Sequence, residues 1–162
     1  MSDLRIGLGI DAHAFEAGVP LVLAGVSIDH ARGLAGHSDG DVVAHALTDA
    51  LLGAAGLADI GALFPSDDES YQGADSLELL AEAYRQVRDA GYELVNADCV
   101  LIGQEPRIAS HREAMTERLA AALGVEVDRV GVRATSTVFL GFTGRGEGLA
   151  AQAVALLERA AE

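Results

Sequence analysis

Two side chains near the start of the chain have the residue types and the spacing of a metal-binding pair. Asp11 and His13 lie two residues apart in segment 5–13, where apolar and small residues alternate as in a β-strand. Side chains at positions i and i+2 of a strand project from the same face. A carboxylate and an imidazole so placed can occupy two corners of a zinc tetrahedron. The alternative, and the commoner meaning of Asp-x-His alone, is the polar end of an ordinary strand.

A third candidate ligand lies on a helix predicted over residues 41–55. His45 follows Asp41 by one helical turn and precedes Asp49 by one turn, among apolar neighbours. On an exposed helix this would be an ordinary solvated histidine, but a mostly buried helix carries a charged stripe only for a purpose. His45 would then complete three protein ligands and leave a fourth position open, as in catalytic zinc sites. Asp49 would orient its second ring nitrogen.

The segment that enters this helix has the composition of an anion-binding site. His37 and Ser38 precede the predicted helix, whose N-cap we expect at Ser38 or Asp39. Free N–H groups and the positive end of the helix dipole favour a bound anion at such a position. The alternative is a plain capping loop.

Other glycine and hydroxyl clusters are less informative. Residues 141–148 are glycine-rich but lack the Gly-Lys-Ser/Thr ending of a phosphate-binding P-loop, and a turn is the simpler interpretation. The hydroxyls of residues 135–137 are common in strands. Taken together, the residues alone predict a metal-dependent enzyme that acts on a phosphorylated small molecule.

Composition restricts the partners and the compartment. The 162 residues include 25 acidic and 11 basic side chains, and the formal net charge is −14. Nucleic acids and anionic membranes bind basic surfaces, so we expect neither as a partner. Cys99 is the only cysteine, which indicates a reducing compartment. Since the sequence also shows neither a signal-peptide pattern nor a long apolar run, we expect a cytoplasmic protein.

The elements that must position these residues form one α/β domain over 1–162. Aromatic side chains make up only 4% of the chain, so Ala, Leu, Val and Ile must build the core, and such chains often bury more surface by oligomerising. The alanine-rich tail, 149–161, has helical propensity but no clear period. Residues 59–70 are expected to form a loop. Strands are predicted over 5–13, 21–28, 92–103 and 129–137, and helices over 41–55, 76–90 and 110–123.

These segments together resemble one family, the 2-C-methyl-D-erythritol 2,4-cyclodiphosphate synthases of the non-mevalonate isoprenoid pathway. The matching motifs occupy 9–13, 36–49, 59–65 and 140–148, in the family's order and spacing. Such a set is far more specific than any one motif, and the resemblance covers nearly the whole chain. It implies a mixed β-sheet with helices packed on one face and the tail as a strand. It also implies a homotrimer with each active site between neighbouring subunits.

The implied reaction converts 4-diphosphocytidyl-2-C-methyl-D-erythritol 2-phosphate to the cyclic diphosphate and releases CMP. The resemblance implies one Zn²⁺ per subunit on Asp11, His13 and His45, and Mg²⁺ or Mn²⁺ with the substrate diphosphate. His37 and Ser136 would be catalytic, and an isoprenoid diphosphate would bind at one end of a central channel. The substrate-binding residues that it implies are Asp11, His13, His37, Ser38, Asp59, Ile60, Gly61, Phe64, Asp68, Gly103, Pro106, Arg107, Ile108, Ala109, Ala134, Thr135, Ser136, Phe142 and Arg145.

Within that set the resemblance gives different segments different roles. Residues 59–61 would hold the erythritol, and 64–68 would form a mobile loop over the site. Residues 103–109 and 134–136 would build the cytidine pocket, largely with backbone atoms. Phe142 and Arg145 would lie at the channel end.

Three positions depart from the family pattern, and two other functions stay open. Arg107 replaces a usual lysine, Asp67 a usual threonine, and Val138 a glutamate that helps to bind the second divalent ion. One alternative is a non-catalytic trimeric sensor of isoprenoid diphosphates, which would need no zinc. The other is a zinc hydrolase of a different phosphate ester, which would release inorganic phosphate.

Overall fold

The computed structural model of the chain describes residues 3–161. The strands are β1 (Leu4–Ala17), β2 (Leu21–Leu23), β3 (Val26–Ile28), β4 (Arg32–Leu34), β5 (Tyr92–Ile102), β6 (Val130–Thr135) and β7 (Gly148–Arg159). The helices are α1 (Val42–Ala54), α2 (Ile60–Leu63), α3 (Ser76–Asp89), α4 (Arg112–Leu123) and α5 (Gly141–Gly144). Short 3₁₀ turns cover Glu69–Tyr71 and Val127–Arg129.

Five of the strands form one mixed sheet in the order β4-β1-β7-β5-β6. Strands β5 and β6 run parallel, and the other neighbours are antiparallel. The long pairing of β1 with β7 runs from Leu4 opposite Glu158 to Ala14 opposite Gly148. Strands β2 and β3 form a separate hairpin. The expected single-domain mixed α/β fold is therefore confirmed for the described residues.

The alanine-rich tail is the central strand β7, as the family resemblance implied. Its buried side chains alternate along the strand, with Leu149, Ala151, Ala153, Ala155 and Leu157 all almost inaccessible to solvent. This two-residue period places one face of β7 in the core, and the pairing with β1 and β5 outweighs the helical propensity of alanine.

Helix α1 lies directly on strands β1 and β7 because the sequence supplies small residues at the contact. A Cβ atom on Gly7 would fall 2.0 Å from the carbonyl oxygen of Ala50, so only glycine permits this approach. The buried face of α1 carries Val43, Leu47 and Leu51 into the core. Strand β1 and helix α1, the two elements that carry the candidate ligands, are therefore in direct contact.

The start of α1 differs from the prediction. Its N-cap is Asp41, where we predicted Ser38 or Asp39. The carboxylate of Asp41 is fully buried and accepts N–H bonds from Ala24, Gly25 and Ala44. The β2–β3 turn and the helix thus share one cap, and buried carboxylates need such donors. The sequence alone did not show that a distant turn would approach the helix here.

The segment 59–70 also differs from the prediction. It was expected to be a loop, but it contains the short helix α2, capped by Asp59, and leads into a 3₁₀ turn capped by Asp68. The side chain of Asp59 accepts from the backbone N–H of Ala62 at 2.9 Å, which satisfies one of the free N–H groups at the start of α2.

The face of β1 that turns away from α1 is apolar and exposed. Leu4, Ile6, Leu8 and Ile10 are between 52% and 73% exposed, whereas Gly7 and Gly9 on the other face of the same strand are buried. A contiguous apolar surface of this kind is uncommon on a monomer and indicates an interaction surface. Among residues 3–161, no helix has the length and hydropathy needed to cross a membrane.

Candidate metal centre and adjoining cavity

The three predicted ligands meet where β1 lies against α1. Asp11 Oδ2 is 2.8 Å from His13 Nε2 and 3.0 Å from His45 Nδ1, and the two ring nitrogens are 3.4 Å apart. Within residues 3–161 this is the only group of three such side chains whose ligand atoms converge. All three side chains are partly buried, with exposures of 26%, 19% and 13% for Asp11, His13 and His45. The structure therefore brings the predicted triad together.

The distances agree with a four-coordinate zinc ion. Bonds of 2.0–2.2 Å to a tetrahedral ion place neighbouring ligand atoms about 3.3–3.6 Å apart. The separation of 3.4 Å between the two ring nitrogens lies in that range, and the carboxylate oxygen, at 2.8 and 3.0 Å from them, would move outward by about 0.5 Å to bind the ion. One carboxylate with two imidazoles is also a common donor set for catalytic zinc, so the residues fit the ion.

His13 is held in the orientation that a metal ligand needs. Its Nδ1 contacts the carbonyl oxygen of Ala35, which can only accept, so Nδ1 carries the proton. Nε2 then faces Asp11 and His45, where it can donate to Asp11 Oδ2 as the imidazolium or offer its lone pair to a metal ion as the neutral ring. The segment after β4 in this way selects the tautomer of a ligand on β1.

The pKa values show that the centre favours negative charge on Asp11. Burial works to raise the pKa of Asp11, but hydrogen bonds with His13 and His45 outweigh it and hold that pKa at about 2. The hydrogen bond to Asp11 in turn raises the pKa of His13. The negative charge of Asp11 is therefore balanced by protons on the two imidazoles, and a metal cation can take the place of those protons.

The second nitrogen of His45 does not face the predicted partner. Asp49 accepts from the backbone N–H of Ile60 at 2.8 Å and so ties α1 to the start of α2. His45 Nε2 instead lies 2.8 Å from Ser76 Oγ and 3.0 Å from Ser38 Oγ. The prediction that Asp49 orients His45 is wrong, because the ring turns toward α3 and away from the next turn of its own helix.

A cavity of about 250 Å³ opens directly beside the triad. It contains most of the expected phosphate- and sugar-binding residues of the first half of the chain. His37 reaches across it, with Nε2 3.1 Å from the carbonyl oxygen of Asp68. The lining residues are Asp11, His13, His37, Ser38, His45, Ile60, Gly61, Phe64, Ser66, Tyr71 and Leu79.

Asp59 and Asp68, which were expected to bind substrate, do not line this cavity. Asp59 uses its carboxylate as the cap of α2, and Asp68 uses its own on Ser70 at 2.9 Å and 2.7 Å. The hydrogen bonds with Ser70 lower the pKa of Asp68. Ser66 belongs to the 64–68 loop that was expected over the site, but Tyr71 and Leu79 were not predicted. Tyr71 packs edge-on against Phe64 at 5.3 Å, a contact that no local sequence pattern signals.

The two segments expected to bind cytidine, 103–109 and 134–136, lie next to each other but outside the cavity beside the triad. Strands β5 and β6 are parallel neighbours, with Leu101 opposite Ala134 and Ile102 opposite Thr135, and Gly103 N donates to Thr135 O at 3.0 Å. Ala134, Thr135 and Ser136 are exposed, whereas Ile108 is buried. A second cavity, of about 390 Å³, is lined by His30, Gln104, Glu105, Pro106, Arg107 and Phe139.

The remaining expected residues also lie apart from the triad. Ser136 Oγ accepts from the backbone N–H of Val138 at 3.4 Å, and neither residue lines the cavity beside the metal centre. Arg145 pairs with Glu147 at 2.8 Å, and Phe142 is 41% exposed. In a single chain, therefore, the structure does not bring Ser136, the 103–109 segment or Arg145 into the triad's cavity.

Fold and site together define a mixed α/β protein with a candidate metal centre at the edge of a cavity. The model of the YgbB family matches residues 4–158, so the chain belongs to that family. It is 61% identical over 163 residues to the 2-C-methyl-D-erythritol 2,4-cyclodiphosphate synthase of Rubrobacter xylanophilus, covering 99% of this chain and 98% of that protein.

Solved structures are similar over the same length. The bifunctional IspDF from Campylobacter jejuni superposes with a TM-score of 0.95 and 45% identity, covering 98% of this chain and 43% of that protein. This chain therefore spans less than half of the bifunctional protein. A CDP complex of IspF from Plasmodium falciparum superposes with a TM-score of 0.86 and 29% identity, covering 98% and 97%.

Proposed function

We propose that the chain is a zinc-dependent 2-C-methyl-D-erythritol 2,4-cyclodiphosphate synthase, a phosphorus–oxygen lyase of the cytoplasmic non-mevalonate isoprenoid pathway. Its substrate is 4-diphosphocytidyl-2-C-methyl-D-erythritol 2-phosphate, and CMP is the leaving group. One observation carries the proposal. The converging ligand atoms of Asp11, His13 and His45 open onto a cavity whose wall also contains His37 and Ser38.

The reaction needs positioning and charge compensation more than proton transfer. A phosphate monoester has a second pKa of about 6, so the attacking 2-phosphate is already anionic at neutral pH. It must approach the β-phosphorus in line, and negative charge on the transferring group must be neutralised. A bound zinc ion would supply a Lewis acid for a phosphate oxygen in this site.

The residues around the triad would supply the rest. His37 and Ser38 stand beside the phosphate position, with His37 placed to stabilise charge in the transition state. Residues 59–61 hold the erythritol, and Phe64 closes one side of the cavity against Tyr71. Magnesium or manganese accompanies the diphosphate, since an acidic protein offers it little compensating charge.

Assembly as a homotrimer would complete this site. The cytidine segments and Ser136 lie outside the triad's cavity, so a neighbouring subunit would have to bring them to it. The exposed apolar face of β1, formed by Leu4, Ile6, Leu8 and Ile10, is the surface that such an assembly would cover. The relative from Plasmodium falciparum that was solved with CDP supports a cytidine nucleotide as a ligand.

The alternative function, a non-catalytic sensor of isoprenoid diphosphates, depends on Phe142 and Arg145. Arg145 is exposed but already pairs with Glu147, and the hydrogen bond with Glu147 raises the pKa of Arg145. An enzyme could bind such a ligand in its channel as well, so the two functions are not exclusive.

Product analysis distinguishes the proposed reaction from both rivals. The zinc-loaded protein is expected to release one CMP for each cyclic diphosphate formed, with no inorganic phosphate. Release of inorganic phosphate would indicate the hydrolase. Binding of an isoprenoid diphosphate without any CMP release would indicate the sensor.

A further inference from the structure

A chain of hydrogen-bonding groups extends from the metal centre through the buried Ser76 to Asp39, which is half-buried and lines a separate cavity. His45 Nε2 lies 2.8 Å from Ser76 Oγ, and Ser76 Oγ makes a short contact with Asp39 Oδ1. Ser76 is the first residue of α3 and is completely buried. Neither Asp39 nor Ser76 lines the cavity beside the triad, so neither is placed to touch substrate there.

The chemistry of the groups fixes the direction of these hydrogen bonds. A carboxylate can only accept, so the hydroxyl proton of Ser76 goes to Asp39. Asp39 is itself held by the backbone N–H groups of Ser76 and Asp41, both at 3.0 Å. The oxygen of Ser76 is then left to accept, and the partner that remains is the Nε2–H of His45.

Ser38 is a weaker candidate for the same role. Its Oγ is 3.0 Å from His45 Nε2 and 3.3 Å from Ser76 Oγ, but among residues 3–161 no carboxylate lies within hydrogen-bonding distance to fix its proton. Ser38 also lines the cavity, where its hydroxyl can turn to a bound anion. Ser76 is the shorter contact to His45 and the one with a fixed orientation.

We propose that Asp39 and Ser76 are positioning residues that hold His45 as the Nε2–H tautomer. The lone pair of Nδ1 is then directed at the point between Asp11 and His13 where the metal binds. This inference rests on the metal site of the proposed function. A hydroxyl that donates to a charged acceptor also becomes a better acceptor itself, so Asp39 strengthens the hydrogen bond that His45 Nε2–H donates to Ser76 Oγ.

Zinc affinity, measured by competition with a chelator, tests this role without any assay of activity. Ser76→Ala is expected to weaken zinc binding about 10- to 100-fold, the usual effect of losing an outer partner of a ligating histidine. Ser76→Thr keeps the hydroxyl and is expected to restore most of the affinity. Asp39→Asn keeps the side-chain size and is expected to weaken binding in the same direction as Ser76→Ala.

Thr48→Val is the matched control. Thr48 lies on α1 and, like Ser76, is fully buried, but its hydroxyl donates to the carbonyl oxygen of Ala44 at 2.8 Å and not to a group of the metal centre. Its removal is expected to leave zinc affinity unchanged. In the zinc-loaded protein, long-range ¹H–¹⁵N spectra should show the His45 proton on Nε2.

The outcomes separate this proposal from the function on which it rests. Zinc affinity unchanged in both Ser76→Ala and Asp39→Asn, or a His45 proton on Nδ1, would overturn the positioning role alone. Zinc binding that depends on Ser76 without any CMP release would leave it standing and overturn the proposed reaction. An unmodified chain that binds no zinc would overturn both.

Discussion

Gly9 of β1 touches the carbonyl oxygen of Ala46 on α1 so closely that a Cβ on Gly9 would fall 1.8 Å from that oxygen. Gly9 shares a face of β1 with Asp11 and His13, while Ala46 is the neighbour of His45. The distance between this strand and this helix therefore sets the distance between the ligands on each. Because Gly9 has no side chain, α1 can approach β1 closely enough for His45 to reach Asp11 and His13. The sequence alone shows Gly9 only as a small residue in a strand.

The first prediction concerns that contact. Gly9→Ala must push α1 away from β1, and we expect it to cost at least about 2 kcal/mol of unfolding free energy. Zinc affinity is expected to fall with it, because His45 moves relative to Asp11. Calorimetry and zinc titration check both effects.

Gly53→Ala is the matched control for this change. Gly53 also lies on α1, but it is exposed and a Cβ there would meet nothing within 4 Å. Alanine in a helix interior is favoured over glycine, so this variant should gain about 0.5–1 kcal/mol and bind zinc normally. If Gly9→Ala and Gly53→Ala had the same stability and the same zinc affinity, the close contact between Gly9 and α1 would not be what positions the ligands.

Much of this architecture could be predicted from local patterns. Helix α3 was predicted over 76–90, and it covers Ser76–Asp89. Gly124 ends α4 in the left-handed conformation, as a C-terminal glycine commonly does. Such signals lie within one turn of the element that they end, so they can be identified without knowing the tertiary structure.

The parts that failed depend on contacts between distant segments. Asp49 has the right spacing on α1 to support His45, yet Ser76, 31 residues further along the chain from His45, takes that place. The cap of α1 at Asp41 depends on a turn 16 or 17 residues earlier. For the tail, propensity favoured a helix, and only the family resemblance indicated the strand that pairs with β1 and β5.

The second prediction is a pH dependence that arises from Asp41. Burial raises the pKa of Asp41 from 3.8 to about 6, although the N–H groups of Ala44, Gly25 and Ala24 act to lower it. The native protein thus holds this proton more tightly than the unfolded chain. Stability from this group is complete below about pH 4 and is lost as the pH rises through about 6.

Asp41→Asn removes the titration and keeps the side-chain size. The amide changes the hydrogen bonds by a constant amount, so the slope with pH carries the information. We expect the unfolding free energy of the unmodified protein, relative to Asp41→Asn, to fall by about 2 kcal/mol between pH 4 and pH 7. Denaturant titrations with a chelator present measure it, and a flat or rising difference would contradict the assignment.

The third prediction concerns the apolar face of β1. Sedimentation at micromolar concentration is expected to show a trimer for the unmodified chain. Ile6→Asp introduces a charge where the side chain is 73% exposed, so the isolated subunit should tolerate it while the assembly should not. Val127→Asp is the control, because Val127 is also exposed, at 48%, but lies in a 3₁₀ turn away from β1. A trimer that persists in Ile6→Asp would contradict this use of the face.

The fourth prediction concerns Val138, which stands where relatives are expected to carry a glutamate for the second divalent ion. Val138 is 73% exposed and has a φ of +53°, a conformation that β-branched residues rarely adopt. Its side chain cannot ligate a metal, so magnesium should be held by phosphate oxygens and water. Val138→Glu is expected to lower the magnesium concentration that gives half-maximal rate.

Val138→Gln separates the carboxylate from the change in backbone strain. Glutamine relieves the β-branching equally but is a poorer ligand for magnesium. If the magnesium concentration for half-maximal rate falls in Val138→Glu but not in Val138→Gln, the effect is due to the carboxylate. The same magnesium dependence in all three proteins would instead point to another residue, and Glu105 or Asp68 would be the first to test.

The fifth prediction, and the most direct test of the whole account, is CMP release by His45→Ala with zinc content measured on the same sample. The unmodified protein should hold about one zinc per chain and form cyclic diphosphate and CMP in equal amounts. The variant should lose most of the zinc and about three orders of magnitude in rate, or about 4 kcal/mol of transition-state stabilisation, while its thermal unfolding stays cooperative. Stoichiometric zinc in His45→Ala, or CMP release at the unmodified rate, would contradict a metal centre built from Asp11, His13 and His45.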